Sequence, residues 1–389
     1  MRRLFHTLIR FAPLLGMTAA VYAAEPAPDR IASFLLIDDQ LSARSIWLDD
    51  IDDRRIAFRQ DGVRRSLSRD RALALLRRQD LTPDNGEPVL ELVDGQRWVG
   101  RLQPAASAGD EVLWANDSLG TITVNLDRVR RMRLVRDEPF PVTDASTIGD
   151  VIRLINGDTM TGFLVELGDP VVFETDDGPV EIALDRLASM TLLNPGEPAV
   201  GLRVWTEEGS VVESEAVRLN DYSLAITLKD QEKPSLAGLE FLRAVIFETE
   251  TLVGLDDLEV EEVSAPGDYT VIMPPRAIDP HAPRGLTDLE LHGPIAVRWR
   301  LPAGATRFAT TARLPLDAIG WADYEVVVEA GGVELDRRRI NAAQPTIDIL
   351  TDLPRGAGSL TLHLTEGERG PIQDVAIFTR PRVLVEPMR

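Results

Sequence analysis

The chain has no cysteine among its 389 residues. That excludes disulfides, thiolate metal sites, cysteine nucleophiles and a lipid-modified cysteine anchor. Lysine is almost missing too: Lys229 and Lys233 stand alone, and arginine carries the rest of the positive charge. Beyond the first 24 residues the histidines are His281, His292 and His363; they share no metal-ligand spacing, and no His-Glu-x-x-His occurs. A Gly-x-Ser-x-Gly elbow and a phosphate-cradling glycine loop are also lacking. Aromatic residues make up 5% of the chain, a thin supply for stacking against sugars. Positive charge is in deficit, with a formal net charge of -21 and a pI of about 4.7, so a nucleic-acid partner is not expected.

Carboxylates are plentiful. Asp49-Asp50-Ile51-Asp52-Asp53 and Asp256-Asp257 are adjacent runs of the kind found in solvated turns, and none has the alternating spacing of an EF-hand loop. A glycosidase needs two carboxyl groups facing one sugar, one of them with a raised pKa, and no spacing here identifies such a pair. The expectation is a non-enzymatic protein without a cofactor, with a glycoside hydrolase as the lesser alternative.

The first residues read as an export signal. Arg2, Arg3 and Arg10 are followed by an apolar stretch from Phe11 to Tyr22, the small residues Ala20, Ala23 and Ala24, and Glu25-Pro26. This order predicts a signal peptide over 1–24 with cleavage after Ala24; the competing reading is an N-terminal anchor, for which the stretch is short and interrupted by Pro13. No later segment has the length of an apolar span, so the mature chain is expected in the periplasm, secreted or at the cell surface.

One pattern recurs along the chain. Leu126-Asp127-Arg128-Val129 running to Met132 and Leu134 matches Leu184-Asp185-Arg186-Leu187 running to Met190 and Leu192. Fainter copies start at Leu239 and at Leu67, the latter running to Leu73 and Leu75. The Leu67 copy puts Asp70 where the others have an apolar residue, and a helix over 69–78 competes there. Each copy follows an apolar strand and a turn signal: Asp38-Asp39, Asp94-Gly95, Asn156-Gly157 and Glu208-Gly209. Period-two stretches such as Ile122, Val124, Leu126 each turn one apolar face inward. Short strands in units of this size bury a core by curling into small barrels. The predicted units are 31–80, 88–137, 148–195 and 198–250. This layout resembles the SH3-like or Sm-like small barrels found in tandem in exported proteins of planctomycete-type bacteria. The repeated Asp and Arg have two readings: a ligand edge, or a capped turn whose Arg pairs locally. The structural reading is favoured.

From 252 the texture changes to a proline-rich crossing and then alternating strands, including Val297, Trp299, Leu301 and Tyr324, Val326, Val328. With no amphipathic helix, residues 252–388 predict a jelly-roll sandwich. The fold class is therefore all-β: tandem small SH3-like barrels followed by a jelly-roll β-sandwich. Several segments carry a family resemblance: Gly285-Leu286 with His292, Leu301-Pro302-Ala303-Gly304 leading to Arg307-Phe308, Ala330-Gly331-Gly332, Leu360-Thr361-Leu362 and Asp374-Val375-Ala376. Together they resemble the family known as the novel carbohydrate-binding module. Two positions depart from its pattern: His292 lies further from Gly285, and Ile377-Phe378 stands where a tryptophan is usual. The resemblance implies recognition of a polysaccharide or cell-wall glycan. Trp321, Asp323, Tyr324 and Arg298 are the ligand-binding candidates, and Trp321 also has a structural reading. Whether a calcium ion staples the jelly roll is left open. The alternative function, of a different class, is an envelope scaffold whose barrels bind other exported proteins. Trp299, Trp98, Trp114 and Trp205 are expected in cores, and Trp47 at the surface.

Overall fold

The computed structural model describes residues 33–77, 86–103, 110–141, 148–229, 231, 233–265, 272–279, 282–283, 285–367, 370 and 374–386. The expected signal segment lies outside them. Among the described residues no helix is long and apolar enough to cross a membrane, and the helical elements are single 3-10 turns.

Four units of similar plan come first. Unit 1 contains β1 (Ser33–Asp38), β2 (Ala43–Ile51), β3 (Arg55–Gln60), β4 (Val63–Ser68) and β5 (Ala72–Arg77). Unit 2 contains β6 (Val89–Leu92), β7 (Arg97–Val99), β8 (Arg101–Leu102), β9 (Glu111–Asn116), β10 (Gly120–Asn125) and β11 (Val129–Arg133). Unit 3 contains β12 (Asp150–Leu154), β13 (Thr159–Glu166), β14 (Val171–Thr175), β15 (Gly178–Ile182) and β16 (Leu187–Thr191). Unit 4 contains β17 (Leu202–Thr206), β18 (Val211–Asn220), β19 (Ser223–Leu228), β20 (Ser235–Gly238) and β21 (Leu242–Ile246). In each, the antiparallel order is fifth, first, second, third, fourth. In unit 2 the second strand is broken into β7 and β8 at Gly100, where φ is +154° and a Cβ would strike the Ala115 carbonyl.

The fourth and fifth strands are joined by a 3-10 turn in every unit: Arg69–Arg71, Leu126–Arg128, Leu184–Arg186 and Leu239–Phe241. The carbonyl of its last residue accepts the N–H of Asp39, Val93, Ile155 or Glu207 at 2.8–3.0 Å, fixing the turn over the first hairpin. This corrects the register expected for unit 1. Its turn starts at Arg69 and not at Leu67, so Ala72 stands where the other units have Val129, Leu187 and Leu242. Asp70-Arg71 is then a third copy of the Asp-Arg pair. The leading leucine is replaced by Arg69, whose guanidinium lies 3.6 Å over the Phe247 ring. No helix forms over 69–78, because β5 takes Ala72–Arg77 into the sheet. The arginines of the repeat hold the first hairpin, Arg71 to Asp39 at 3.1 Å and Arg128 to Asp94 at 3.1 Å. Capping differs from expectation: the Asp127 N–H is received by the Asn125 side chain, one residue before the turn.

The units meet through their fifth strands. Leu75 of β5 pairs with Val245 of β21, and Met132 of β11 with Met190 of β16. All four residues lie at the same distance from their turns, so the two seams repeat one local dyad. Unit 4 also touches unit 1 at Leu219–Ile51 and unit 2 at Val211–Arg97. Arg203 of β17, 2% exposed, bonds Asp94 at 3.2 Å, and Asp94 also receives the Gln96 amide at 3.0 Å. A buried charge is tolerated only with such partners. Phe34, Trp114, Phe173 and Val245 belong to one connected apolar cluster running through all four units.

The remaining strands are β22 (Leu252–Gly254), β23 (Val260–Ser264), β24 (Arg276–Ala277), β25 (Leu289–His292), β26 (Ile295–Arg300), β27 (Ala305–Arg313), β28 (Asp323–Ala330), β29 (Val333–Asn341), β30 (Thr346–Asp352), β31 (Ser359–Glu366) and β32 (Val375–Val385). One sheet runs β24-β25-β32-β27-β30, the other β23-β26-β31-β28-β29. Counting β25 as the first of eight, the sheets read 1-8-3-6 and 2-7-4-5, the strand order of a jelly roll. Trp299, Phe308, Tyr324 and Phe378 fill the space between the sheets.

A third cluster joins the two parts: Ile37, Leu41, Trp205 and Ile246 from the barrels against Leu252, Leu286 and Ala309. Polar contacts reinforce it. Buried Arg382 donates to the Leu41 carbonyl at 2.8 Å, and Arg307 donates to the Gln40 side chain at 2.6 Å. Gly285 has φ +73° and passes close to the backbone of Leu252 and Gly254, so its Gly-Leu segment serves this joint.

Candidate functional site

The candidate residues fall at one end and on one face of the jelly roll. Between β27 and β28 the chain crosses from sheet to sheet through 314–322. Leu314, Ala318 and Ala322 point inward and are buried. Ala318 N–H donates to the Pro315 carbonyl at 3.1 Å; the Trp321 and Ala322 N–H groups both donate to Ala318, at 3.1 and 3.0 Å. The crossing is thus held by its own small residues while Leu316 and Trp321 face outward, Trp321 being 61% exposed. An indole with an open face on a backbone-fixed loop can stack against an apolar ring face.

Asp323 opens β28 on the outer face of its sheet. Its carboxylate is gripped by the Arg339 guanidinium at 2.8 and 2.7 Å and is 6% exposed. Arg298, half-exposed on β26 of the same face, pairs with Glu262 at 2.9 Å. Around them lie contacts that the sequence does not announce: the Arg337 ion pairs with Glu325 at 2.6 Å and Glu334 at 2.7 Å, and the His363 ring 3.4 Å from the Glu329 carboxylate. The run Arg337-Arg338-Arg339 on an edge strand was the available signal. The Asp323, Glu262, Glu325 and Glu334 carboxylates each have an arginine beside them, so the outer face is a charge-matched lattice rather than an open pocket.

Tyr324 leaves the candidate set. It is fully buried, and its hydroxyl donates to the Val375 carbonyl at 2.9 Å. Burial raises its pKa far above the ordinary tyrosine range. The physical reason is strand alternation: Tyr324 shares parity with Val326 and Val328, which face the core. Trp299, Trp98, Trp114 and Trp205 are buried, and Trp47 is 42% exposed.

Next to Tyr324 sits Asp374, 2% exposed, with neither carboxylate oxygen in hydrogen-bonding geometry with a partner. Burial, reinforced by the neighbouring Asp323 and Glu366 carboxylates, pushes its pKa up to about 6. The Asp374 carbonyl accepts the Gly293 N–H at 2.6 Å. Among the described residues no group of three or more His, Asp or Glu side chains is arranged to hold a metal ion.

By fold and site, the chain is an array of four small barrels joined to a jelly roll with one exposed tryptophan on an inter-sheet crossing. No family model and no curated protein matches it. Among solved structures it is similar to the CBM51 module of a Clostridium perfringens GH95 protein in complex with methyl-galactose, at 13% identity and TM-score 0.29, covering 34% of this chain and 99% of that one. It is also similar to the CBM51-2 and INT domains of Clostridium perfringens ZmpB, at 11% identity and TM-score 0.29, covering 48% of this chain; it spans only 40% of that structure. Tandem CBM51 modules of a Streptococcus pneumoniae family 98 glycoside hydrolase align at 9% identity and TM-score 0.30, over 91% of this chain and 88% of that one.

Proposed function

We propose that this is an exported, non-catalytic binding protein whose jelly roll recognises a polysaccharide or cell-wall glycan through Trp321. The observation that carries the reading is the exposure of Trp321 on a crossing fixed by its own backbone hydrogen bonds. Stacking of an indole on a pyranose needs an open aromatic face that does not have to be ordered on binding. The resemblance of residues 252–388 to the novel carbohydrate-binding module family supports the same reading. So does the pairing of Arg298 and Asp323 with protein partners, which leaves the tryptophan as the free recognition element among the four candidates.

Export rests on the basic, apolar and small-residue order of residues 1–24. The barrel array then serves as a platform, joined to the jelly roll through the Leu252–Leu286 cluster. A glycan array probed with residues 25–389 tests the reading. Binding to a subset of glycans that Trp321→Ala removes is the expected outcome; a flat array contradicts it. The whole mature chain is the right reagent, because the joint would expose apolar surface if the jelly roll were cut away.

A further inference from the structure

Units 1 and 3 present equivalent three-stranded outer faces with opposite chemistry. The equivalence is fixed by register. Leu48 opposite Phe58 in unit 1 corresponds to Leu164 opposite Phe173 in unit 3, and both second strands bulge immediately afterwards. The outer row of unit 3 is then Phe163–Glu174–Pro179, followed by Glu166–Val172–Glu181 with Val165 in the bulge. The outer row of unit 1 is Trp47–Arg59–Arg64, followed by Asp50–Ala57–Ser66 with Asp49 in the bulge.

Each face has an exposed aromatic at the same place, Phe163 at 57% and Trp47 at 42%. Around Phe163 stand the exposed Glu166, Glu174 and Glu181, and among the described residues none of the three has an ion-pair partner. Beside Trp47 stand Arg59 and Arg64, which share the single Asp49 carboxylate at 3.3 and 3.7 Å, with Asp50 half-buried next to it. Two guanidiniums offer far more donors than one carboxylate can accept, so both retain free N–H groups. The units differ in arginine and not in carboxylates: residues 31–80 contain ten arginines against nine aspartates, whereas 148–195 contain two arginines against nine carboxylates. Among the described residues β18 pairs with β7 at Val211–Arg97 and with β2 at its last residue, Ile51, leaving the Trp47 end of β2 clear, while β13 pairs with β12 and β14 alone.

We propose that the chain associates head to tail with a second copy of itself, the Trp47–Arg59–Arg64 face of one copy docking on the Phe163–Glu174–Glu181 face of the next. The net charge of -21 opposes association at long range. At physiological ionic strength, however, charges more than about 8 Å apart are largely screened, so the matched faces decide. The contact is heterologous: each docked pair leaves one face of each kind free, and association continues beyond two copies or closes into a ring. Two small three-stranded faces make a weak, concentration-dependent contact.

Sedimentation velocity of residues 25–389 across roughly 5–200 μM tests this, the range suited to a small interface. The wild-type chain gains mass with concentration. Arg59→Glu with Arg64→Glu, and separately Glu174→Arg with Glu181→Arg, each give a monomer with an unchanged melting temperature. Mixed in equal amounts, the two variants associate again, because the reversed faces now complement each other. Phe163→Ser provides a second, charge-neutral loss. A wild-type chain that stays monomeric across the range overturns the proposal, as does association that survives either reversal or a mixture that stays monomeric.

Discussion

The barrels and the jelly roll bury their strand faces by different routes. In the barrels, no unit closes its core alone: Met132 meets Met190 and Leu75 meets Val245 across seams, and one apolar cluster runs through all four units. The jelly roll is self-sufficient, with Trp299, Phe308, Tyr324 and Phe378 between two sheets of its own and contact to the barrels confined to one patch. Polar groups follow the same division. The barrels place charge inside the array, at Arg203 and Asp94, whereas the jelly roll keeps most of its charge on an outer lattice and, among the described residues, leaves the buried carboxylate of Asp374 without the arginine partner that buried Asp323 has. Shared cores spread damage across units; a separate core confines it.

The largest expected effects break that contrast directly. Trp114→Ala in unit 2 and Trp299→Ala in the jelly roll should each cost about 3–5 kcal/mol, the usual range for deleting a buried aromatic. In calorimetry Trp114→Ala lowers the melting of all four barrels together, while Trp299→Ala separates a jelly-roll transition from the rest. A split barrel transition in the first variant would show that the units are not one cooperative body.

Arg203→Met comes next. It leaves Asp94 buried with Gln96 and Arg128 as partners, so the loss should be about 2–3 kcal/mol, somewhat below that for a fully orphaned charge. Denaturant titration at neutral pH checks it, and a variant as stable as wild type would remove the seam from the account.

Asp374→Asn should act in the opposite direction. The folded pKa of about 6 lies above the ordinary value of 3.8, so the native state holds the proton more tightly than the unfolded chain. The stability this gives is fully present below about pH 3.8 and is lost as pH rises through about 6. At pH 7 the charged carboxylate therefore costs about 2–3 kcal/mol, at 1.36 kcal/mol per pKa unit. The asparagine variant should gain that much at pH 7 and nothing near pH 3.5. Equal gains at both values would assign the effect to packing instead of charge.

The smallest effects belong to the exposed candidates. Arg298→Ala should cost less than about 1 kcal/mol, as half-exposed ion pairs do, and Trp321→Ala should stay within about 0.5 kcal/mol of wild type in thermal melts.

Legibility followed the same division. The barrel repeat was visible because a turn over the first hairpin demands a small set of residues at fixed offsets, as in Leu126-Asp127-Arg128. It slipped by two residues in unit 1, where Arg69 over Phe247 replaces the leucine and leaves Leu67 as the conspicuous apolar residue. The sandwich class was readable from strand alternation, but the 1-8-3-6 and 2-7-4-5 order depends on long-range pairing that no local pattern encodes. At the site, alternation already placed Tyr324 with Val326 and Val328 on the inner face; nomination by residue type overrode it. Asp323 looked available because its partner Arg339 lies sixteen residues on, across the β28–β29 hairpin.

The most direct test of the functional account is titration calorimetry with a glycan that the array identifies, comparing wild type, Trp321→Ala and Arg298→Ala. The account predicts that Trp321→Ala abolishes binding while Arg298→Ala binds as wild type does. Retained affinity in Trp321→Ala, or loss confined to Arg298→Ala, would move the ligand from the inter-sheet crossing to the charged outer face and contradict it.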